Sequence, residues 1–135
     1  MATEWVSQVR STDIDGDGIV NNARYFEFFE QARLEHIARL GLLRAADGQH
    51  ARRFTIAETT CRYRSPLRFG DWIVVSCRVS GVRVRSFDFV YEIRLRDSGV
   101  LAAEGSSAQV WLDTDGRPTP LPEDLRHRLE ADTRQ

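Results

Sequence analysis

Three carboxylates fall within five positions of one loop. Asp13, Asp15 and Asp17 sit in the run STDIDGDG, residues 11–18, just ahead of an apolar stretch. Aspartates in a glycine-rich loop suit two chemistries. Together they can hold a hard cation. Singly, one can act on a substrate as general base or nucleophile. The cation reading has a template, the EF-hand loop, in which Asp13, Asp15, Asp17 and Gly18 would fill positions 1, 3, 5 and 6 and Val20 the apolar position 8. The closing position 12 should supply a bidentate Glu and is Arg24. The residues ahead, 4–10, carry Trp5, Val6 and Val9 without a helical stripe, and Asp113-Thr114-Asp115-Gly116 reads only as a turn. Calcium binding stands as an alternative reading.

The catalytic reading needs a second partner for the carboxylate. Attack on a carbonyl requires an activated water or nucleophile and a donor for the developing oxyanion. A helix N-terminus supplies free backbone N–H groups and a positive dipole end. Residues 22–43 have helical periodicity, so Asn22 lies at a helix start and Asp15 in the loop before it. Asp13 and Asp17 are equally acidic by spacing alone. Both have an ordinary role open to them, capping turns and accepting N–H bonds.

The elements that must position this loop follow from periodicity. Residues 4–10 suggest a short strand. In the helix, Tyr25, Phe26, Phe29, Ala32, Ile37, Leu40 and Leu43 share one wide arc, with Phe28, Leu34 and Ala38 outside it. His36 lies in the arc and reads as a satisfied core histidine. Glu35 with Arg39, and Glu30 with Arg33, are at pairing distance along the helix. Four strand-like runs follow: 53–64, 72–80, 86–96 and 100–112. Ile73, Val75, Cys77 and Val79 alternate with their neighbours, as do Phe87, Phe89, Tyr91, Ile93 and Leu95, which means a sheet with one buried face. Residues 121–130 suit a short terminal helix. The small residues Ala102, Ala103, Gly105, Ser106, Ser107 and Ala108 permit a close approach by some neighbour. The class is α+β, a long helix on an antiparallel sheet of about five strands.

Composition excludes several functions. The 135 residues suit one domain, 1–135. The net charge is -1, which gives no sign of a nucleic-acid binder. All 19 basic residues are arginines, leaving many guanidinium forks for phosphate groups. Cys61 and Cys77 lie in strand-like runs and read as buried free thiols, with no metal cluster. The sequence shows neither a signal peptide nor a membrane span, so a cytoplasmic location is expected.

The segment QVRSTDIDGDGIVNNARYFEFFEQAR, residues 8–33, resembles the signature of the 4-hydroxybenzoyl-CoA thioesterase and YbgC-like branch of the hotdog superfamily. Gln8-Val9, four residues, Ile14 and Asp15 are in step with it, as are Gly18, Val20, Asn22 and Tyr25. Ile14 departs from the family's Thr or Cys. RYRSPLRFGD and WLDTDGRPTPLP look like the family's strand turn and closing tail, so the likeness covers nearly the whole chain. The resemblance implies a hotdog fold, a curved antiparallel sheet wrapped around one long central helix. It implies hydrolysis of an acyl-CoA or acyl-carrier-protein thioester with no cofactor, the coenzyme A being part of the substrate. Asp15 would be the catalytic carboxylate and the Asn22 N–H the carbonyl polariser. Gly18 would let the backbone turn close to the substrate. Tyr25 would line the acyl site or simply pack. Arg62, Arg64 and Arg83 are candidates for the CoA phosphates. A helix glutamate, Glu27 or Glu30, is the reserve for the carboxylate. A homodimer or homotetramer with sites at subunit interfaces is implied. A hotdog protein that binds acyl groups without hydrolysing them is the other alternative.

Overall fold

The computed structural model describes residues 2–41 and 54–133. Strand β1 (Thr3–Gln8) leads through a single turn of 3-10 helix (Ser11–Asp13) and the aspartate loop into helix α1 (Arg24–Arg39). Then come β2 (Phe54–Tyr63), β3 (Trp72–Val82), β4 (Ser86–Leu95), β5 (Leu101–Trp111) and helix α2 (Glu123–Thr133). The strands form one antiparallel sheet in the order β1-β3-β4-β5-β2. Strands β1 and β2 are therefore its edges.

The alternation in the sequence becomes the buried face. Ile73, Val75, Cys77 and Val79 of β3 and Phe87, Phe89, Tyr91 and Ile93 of β4 are all closed to solvent. Each such side chain contributes roughly 1.5–3 kcal/mol relative to exposure, which makes this double row the main driving force for the sheet. Helix α1 packs over β1 and β3, and α2 over β3. Beside the long helix, the expected short terminal helix forms as α2, adding Leu125 and Leu129 to the core.

Two details of α1 differ from the periodicity. Its buried set is Tyr25, Phe28, Phe29, Ala32, His36 and Ile37. Phe28, expected outside the apolar arc, is covered by Trp5 of β1 and Tyr25, with ring centroids 6.4 and 6.1 Å away. Phe26, expected inside it, is 36% exposed. With Phe28 covered and Phe26 at the surface, the wetted stripe is rotated from the one periodicity draws. The helix also stops early. The Leu40 N–H bonds the His36 carbonyl and the Gly41 N–H the Ala38 carbonyl. Gly41 has φ +76, the left-handed geometry that ends helices. Leu43 lies outside the described residues.

His36 is a satisfied core histidine. Its Nδ1 is 2.6 Å from Thr3 Oγ1 and its Nε2 is 2.7 Å from Asp132 Oδ2, joining β1, α1 and α2. A second buried polar chain crosses the core. Arg33 donates to the Tyr91 hydroxyl at 3.1 Å, Tyr91 and Ser107 share a hydrogen bond, Ser107 donates to Gln109 Oε1, and Gln109 donates to the Phe87 carbonyl at 3.0 Å. These pairings allow polar groups in the interior at little net cost. Both cysteines are free, Cys77 buried and Cys61 only half-buried, so the expectation of a buried thiol holds fully for Cys77 alone.

Candidate functional site

The aspartate loop is laced into a tight hairpin. The Asn21 N–H bonds the Asp13 carbonyl, the Asp15 N–H bonds the Ile19 carbonyl, and the Gly18 N–H bonds the Asp15 carbonyl. Ile14 bridges Val20, and Ile19 bridges Arg68 in the turn after β2. Gly18 has φ +79, a conformation that side chains beyond glycine adopt with strain. Asp15 and Asn22 thus ride on one hydrogen-bonded unit at the mouth of α1.

The three aspartates have separate fates. Asp13 is buried, and its carboxylate accepts from the Arg10 main-chain N–H at 2.9 Å and from the Arg10 guanidinium at 3.2 and 3.4 Å. The Arg10 guanidinium is held protonated by that bond and by the Asp13 charge. Asp13 is the first ligand position of the calcium template, so its engagement with Arg10 weighs against that alternative. Asp17 is exposed at the hairpin tip and gives its N–H to Asp15 Oδ1 at 2.8 Å. Asp15 is exposed, and its Oδ2 has no protein partner among the described residues. Of the three, Asp15 combines a fixed carboxylate with a free oxygen.

The helix start is similarly sorted. The Asn21 carboxamide oxygen accepts from the Ala23 N–H at 2.9 Å, and the Asn21 carbonyl accepts from the Arg24 N–H at 2.9 Å. Asn21 thus closes an Asx-type turn just ahead of α1, whose N-cap position is Ala23 without a side-chain cap bond. The Asn22 N–H, lying between these bonded groups, donates to no acceptor among the described residues. The Asn22 carbonyl accepts from the Tyr63 hydroxyl at 2.9 Å and, more weakly, from the Tyr25 N–H at 3.4 Å. Tyr63 is a participant that sequence reasoning missed. The residues offered only its place in an alternating strand, and nothing in that pattern says that its hydroxyl reaches a helix start.

Tyr25 is only 2% exposed and packs edge-on against Tyr63 at 4.9 Å. Burial pushes its phenol pKa up. Within one chain it is the wall behind Tyr63. Glu27 pairs with Arg24 at 2.9 Å, and Glu30 lies 3.8 Å from Arg33 with a mostly exposed side chain. Neither glutamate joins the hairpin bonds that hold Asp15.

The candidate arginines do not converge. Arg62 lies on the outer sheet face beside Arg78, Glu4, Glu92 and Glu104, lining a shallow basin. Arg64 bonds Glu104 at 2.5 Å. That contact holds the Glu104 carboxyl below its ordinary range. Arg83 grips Asp88 with two N–H···O bonds and donates to Ser86 Oγ at 2.9 Å. Tyr63 pairs with Ala103, whereas Arg83 bonds Ser86, the partner of Val110. That is roughly 23 Å along β5, at about 3.3 Å per residue. A phosphate bound near Arg62 is out of reach of the same chain's Arg83.

Comparison with known proteins adds the chemistry's family. Residues 9–129 match the thioesterase-like superfamily. The chain is 31% identical over 131 residues to the chloroplastic acyl-acyl carrier protein thioesterase ATL3 of Arabidopsis thaliana, covering 95% of this chain and 67% of that protein. It is 27% identical over 89 residues to the acyl-CoA thioester hydrolase YbgC of Escherichia coli, covering 66% of each. A Thermus thermophilus thioesterase solved with coenzyme A and zinc superposes with a TM-score of 0.85 at 31% identity, over 98% of this chain and 94% of that one. The chain spans 67% and 63% of the length of the two plant relatives it matches.

Proposed function

Because this chain belongs to the thioesterase-like superfamily, we propose that it hydrolyses an acyl thioester, with the Asp15 carboxylate and the Asn22 N–H as its reacting and stabilising groups. The reaction class comes from the family. The observation that carries the residue assignment is the pairing of two unengaged groups on one rigid hairpin: Asp15 Oδ2 and the Asn22 N–H. Oxygen addition to the thioester carbonyl converts it to an oxyanion. A preorganised backbone donor at a helix start stabilises that charge. As general base, Asp15 takes a proton from water while the hydroxyl adds to carbon. Collapse then breaks the C–S bond, and the protonated Asp15 returns its proton to the thiolate. As nucleophile, Asp15 displaces the thiolate, which takes a proton from solvent, and the resulting anhydride is opened by water to free acid and the Asp15 carboxylate. Either route uses water and the chain's own groups, without a cofactor.

The substrate class follows the relatives, an acyl group on coenzyme A or on an acyl-carrier protein. Of the three arginine candidates, Arg62 makes no close ion pair among the described residues and feels Glu104 only across the strands, so it is our first choice for a CoA phosphate. Arg64 and Arg83 must leave Glu104 and Asp88 to bind one. Gly18 shapes the turn, Tyr25 backs the acyl site, and Glu30 is the reserve carboxylate. We take residues 1–135 as one hotdog domain with α1 as its central helix, working in the cytoplasm. Among the described residues no helix is long and apolar enough to cross a membrane. Asp15 and Asn22 are both exposed in the single chain, and β2 is paired on one side only. A second copy joined along β2 would cover both, giving a dimer or a pair of dimers.

The test is hydrolysis of a panel of aliphatic and aromatic acyl-CoAs and acyl-carrier proteins by wild type and Asp15→Asn. The variant keeps the bond from the Asp17 N–H but cannot take a proton or attack. Its kcat is expected to fall about a hundred- to ten-thousandfold. Wild-type rates in the variant would refute the assignment. Tight acyl-CoA binding by wild type without turnover would mark an acyl-binding protein instead.

A further inference from the structure

The Asn22 carbonyl has an unusual partner for a helix start. It accepts the Tyr63 hydroxyl from the last residue of β2, across 41 positions of sequence. The N–H groups on the following peptides are tied locally: Ala23 to the Asn21 carboxamide and Arg24 to the Asn21 carbonyl. Tyr63 supplies the tie that comes from outside the loop and helix. Its ring is 41% exposed, yet it is held edge-on against the buried Tyr25. Half-buried Cys61 shares its strand face and is within interaction range of its hydroxyl.

We propose that Tyr63 is a positioning residue: by holding the Asn22 carbonyl it fixes the first turn of α1 so that the Asn22 N–H stays aimed at the substrate's carbonyl oxygen. This rests on the reading of Asn22 as the polarising donor. The physical case is one of preorganisation. The Asn22 carbonyl's only other bond among the described residues is a weak i,i+3 contact from the Tyr25 N–H at 3.4 Å, at a helix end whose first amides have no intrahelical partners. The Asn22 N–H lies on the peptide before Asn22 and the carbonyl on the peptide after it, so the Tyr63 bond acts on the donor through the Asn22 Cα. Without that bond the later peptide is held mainly at its Ala23 N–H, and a donor that shifts by a few tenths of an ångström loses transition-state stabilisation more than ground-state binding. The bond also joins edge strand β2 to the helix start, so a shift of β2 would be felt at Asn22.

The discriminating variant is Tyr63→Phe. It keeps the ring that packs on Tyr25 and deletes only the hydroxyl. A packing role alone therefore leaves Tyr63→Phe at wild-type rates. The positioning role lowers kcat about five- to twentyfold with KM within twofold, on the best acyl-CoA of the panel, at an unchanged melting midpoint. Amide exchange at Ala23 and Arg24, followed in the same variant, is expected to quicken. Unchanged kcat overturns the proposal, and so does a loss carried wholly by KM. Should Tyr63→Phe fail to fold, 3-fluorotyrosine at position 63 retains ring and hydroxyl with a more acidic donor. The alkaline limb of its kcat profile then moves to lower pH than wild type's, and an unmoved limb overturns the proposal. Asp15→Asn run alongside separates the two failures. If it is as active as wild type, the underlying reading has failed. If it is inactive while Tyr63→Phe is normal, only the role of Tyr63 has failed.

Discussion

At the residue scale, the site turns on which polar groups are already engaged. Asp13 is neutralised by Arg10 and buried, so its conservative replacement belongs to folding. Asp15 keeps an oxygen free. The Asn22 N–H is free as well, and this offers a direct test of a backbone group. Proline lacks the N–H and is at home in the first turn of a helix. Because the Asn22 N–H makes no bond among the described residues, Asn22→Pro, two positions ahead of α1, sacrifices none of their hydrogen bonds. Its kcat is expected to fall about a hundredfold or more while the melting midpoint moves by only a few degrees. A folded Asn22→Pro enzyme with wild-type kcat would show that the donor lies elsewhere. The loop and the helix start that hold Asp15 and Asn22 were legible because they depend on local spacing. The sequence did not carry Tyr63, because that contact depends on where an edge strand ends in space. Nor did it separate Arg62 from Arg64 and Arg83. Which arginines find acids depends on cross-strand register, such as Arg62 and Arg64 around Glu104.

At the scale of elements, the strands were legible and the helix face was partly so. Alternation fixes which face of β3 and β4 is buried, since a one-residue slip would turn Phe87, Phe89 and Tyr91 to water. The helix has no such binary rule. Its burial depends on which neighbours cover each side chain, and so Phe28, covered by Trp5 and Tyr25, and Phe26 exchange the places that periodicity assigns. The small residues of β5 show the same limit. Their spacing signals a close approach, and the partners are visible only in three dimensions. Phe29 stacks on Tyr91 at 4.6 Å and presses against the β5 backbone at Gly105. A Cβ on Gly105 would lie 2.5 Å from the Phe29 ring and 2.5 Å from the Thr60 carbonyl. The Thr60 atom is main chain, so the strain cannot be relieved by a rotamer change. Glycine to alanine in a strand ordinarily stabilises by about 0.5–1 kcal/mol. Here the sign reverses. Gly105→Ala is expected to cost roughly 1–3 kcal/mol, the range for overpacking, seen as a lower midpoint in urea with an unchanged slope. An equal or higher midpoint would mean that β2 yields freely.

At the scale of the whole molecule, the unfinished edge is β2. Its residues Thr55 to Thr60 are all exposed, and among the described residues β5 is its sole neighbour in the sheet. A ten-residue strand with one row of unpaired backbone groups is a template for another strand. The other edge, β1, is shorter at six residues. The proposed dimer places β2 against its own copy, which closes the edge and brings a second chain over Asp15 and Asn22. Light scattering is expected to give a mass of two or four chains. The backbone supplies the means to break it. In an antiparallel pair the N–H groups of consecutive residues point to opposite sides of the strand. One of Thr59 and Thr60 therefore donates toward β5 and the other toward the open edge. Proline at the first position removes a bond inside the sheet and lowers stability. Proline at the second leaves the sheet intact and removes a bond to the partner. Of Thr59→Pro and Thr60→Pro, one should melt early, and the other should stay folded but dissociate, losing activity in parallel with mass. If the folded variant keeps both the wild-type mass and the wild-type rate, β2 is not the joining edge.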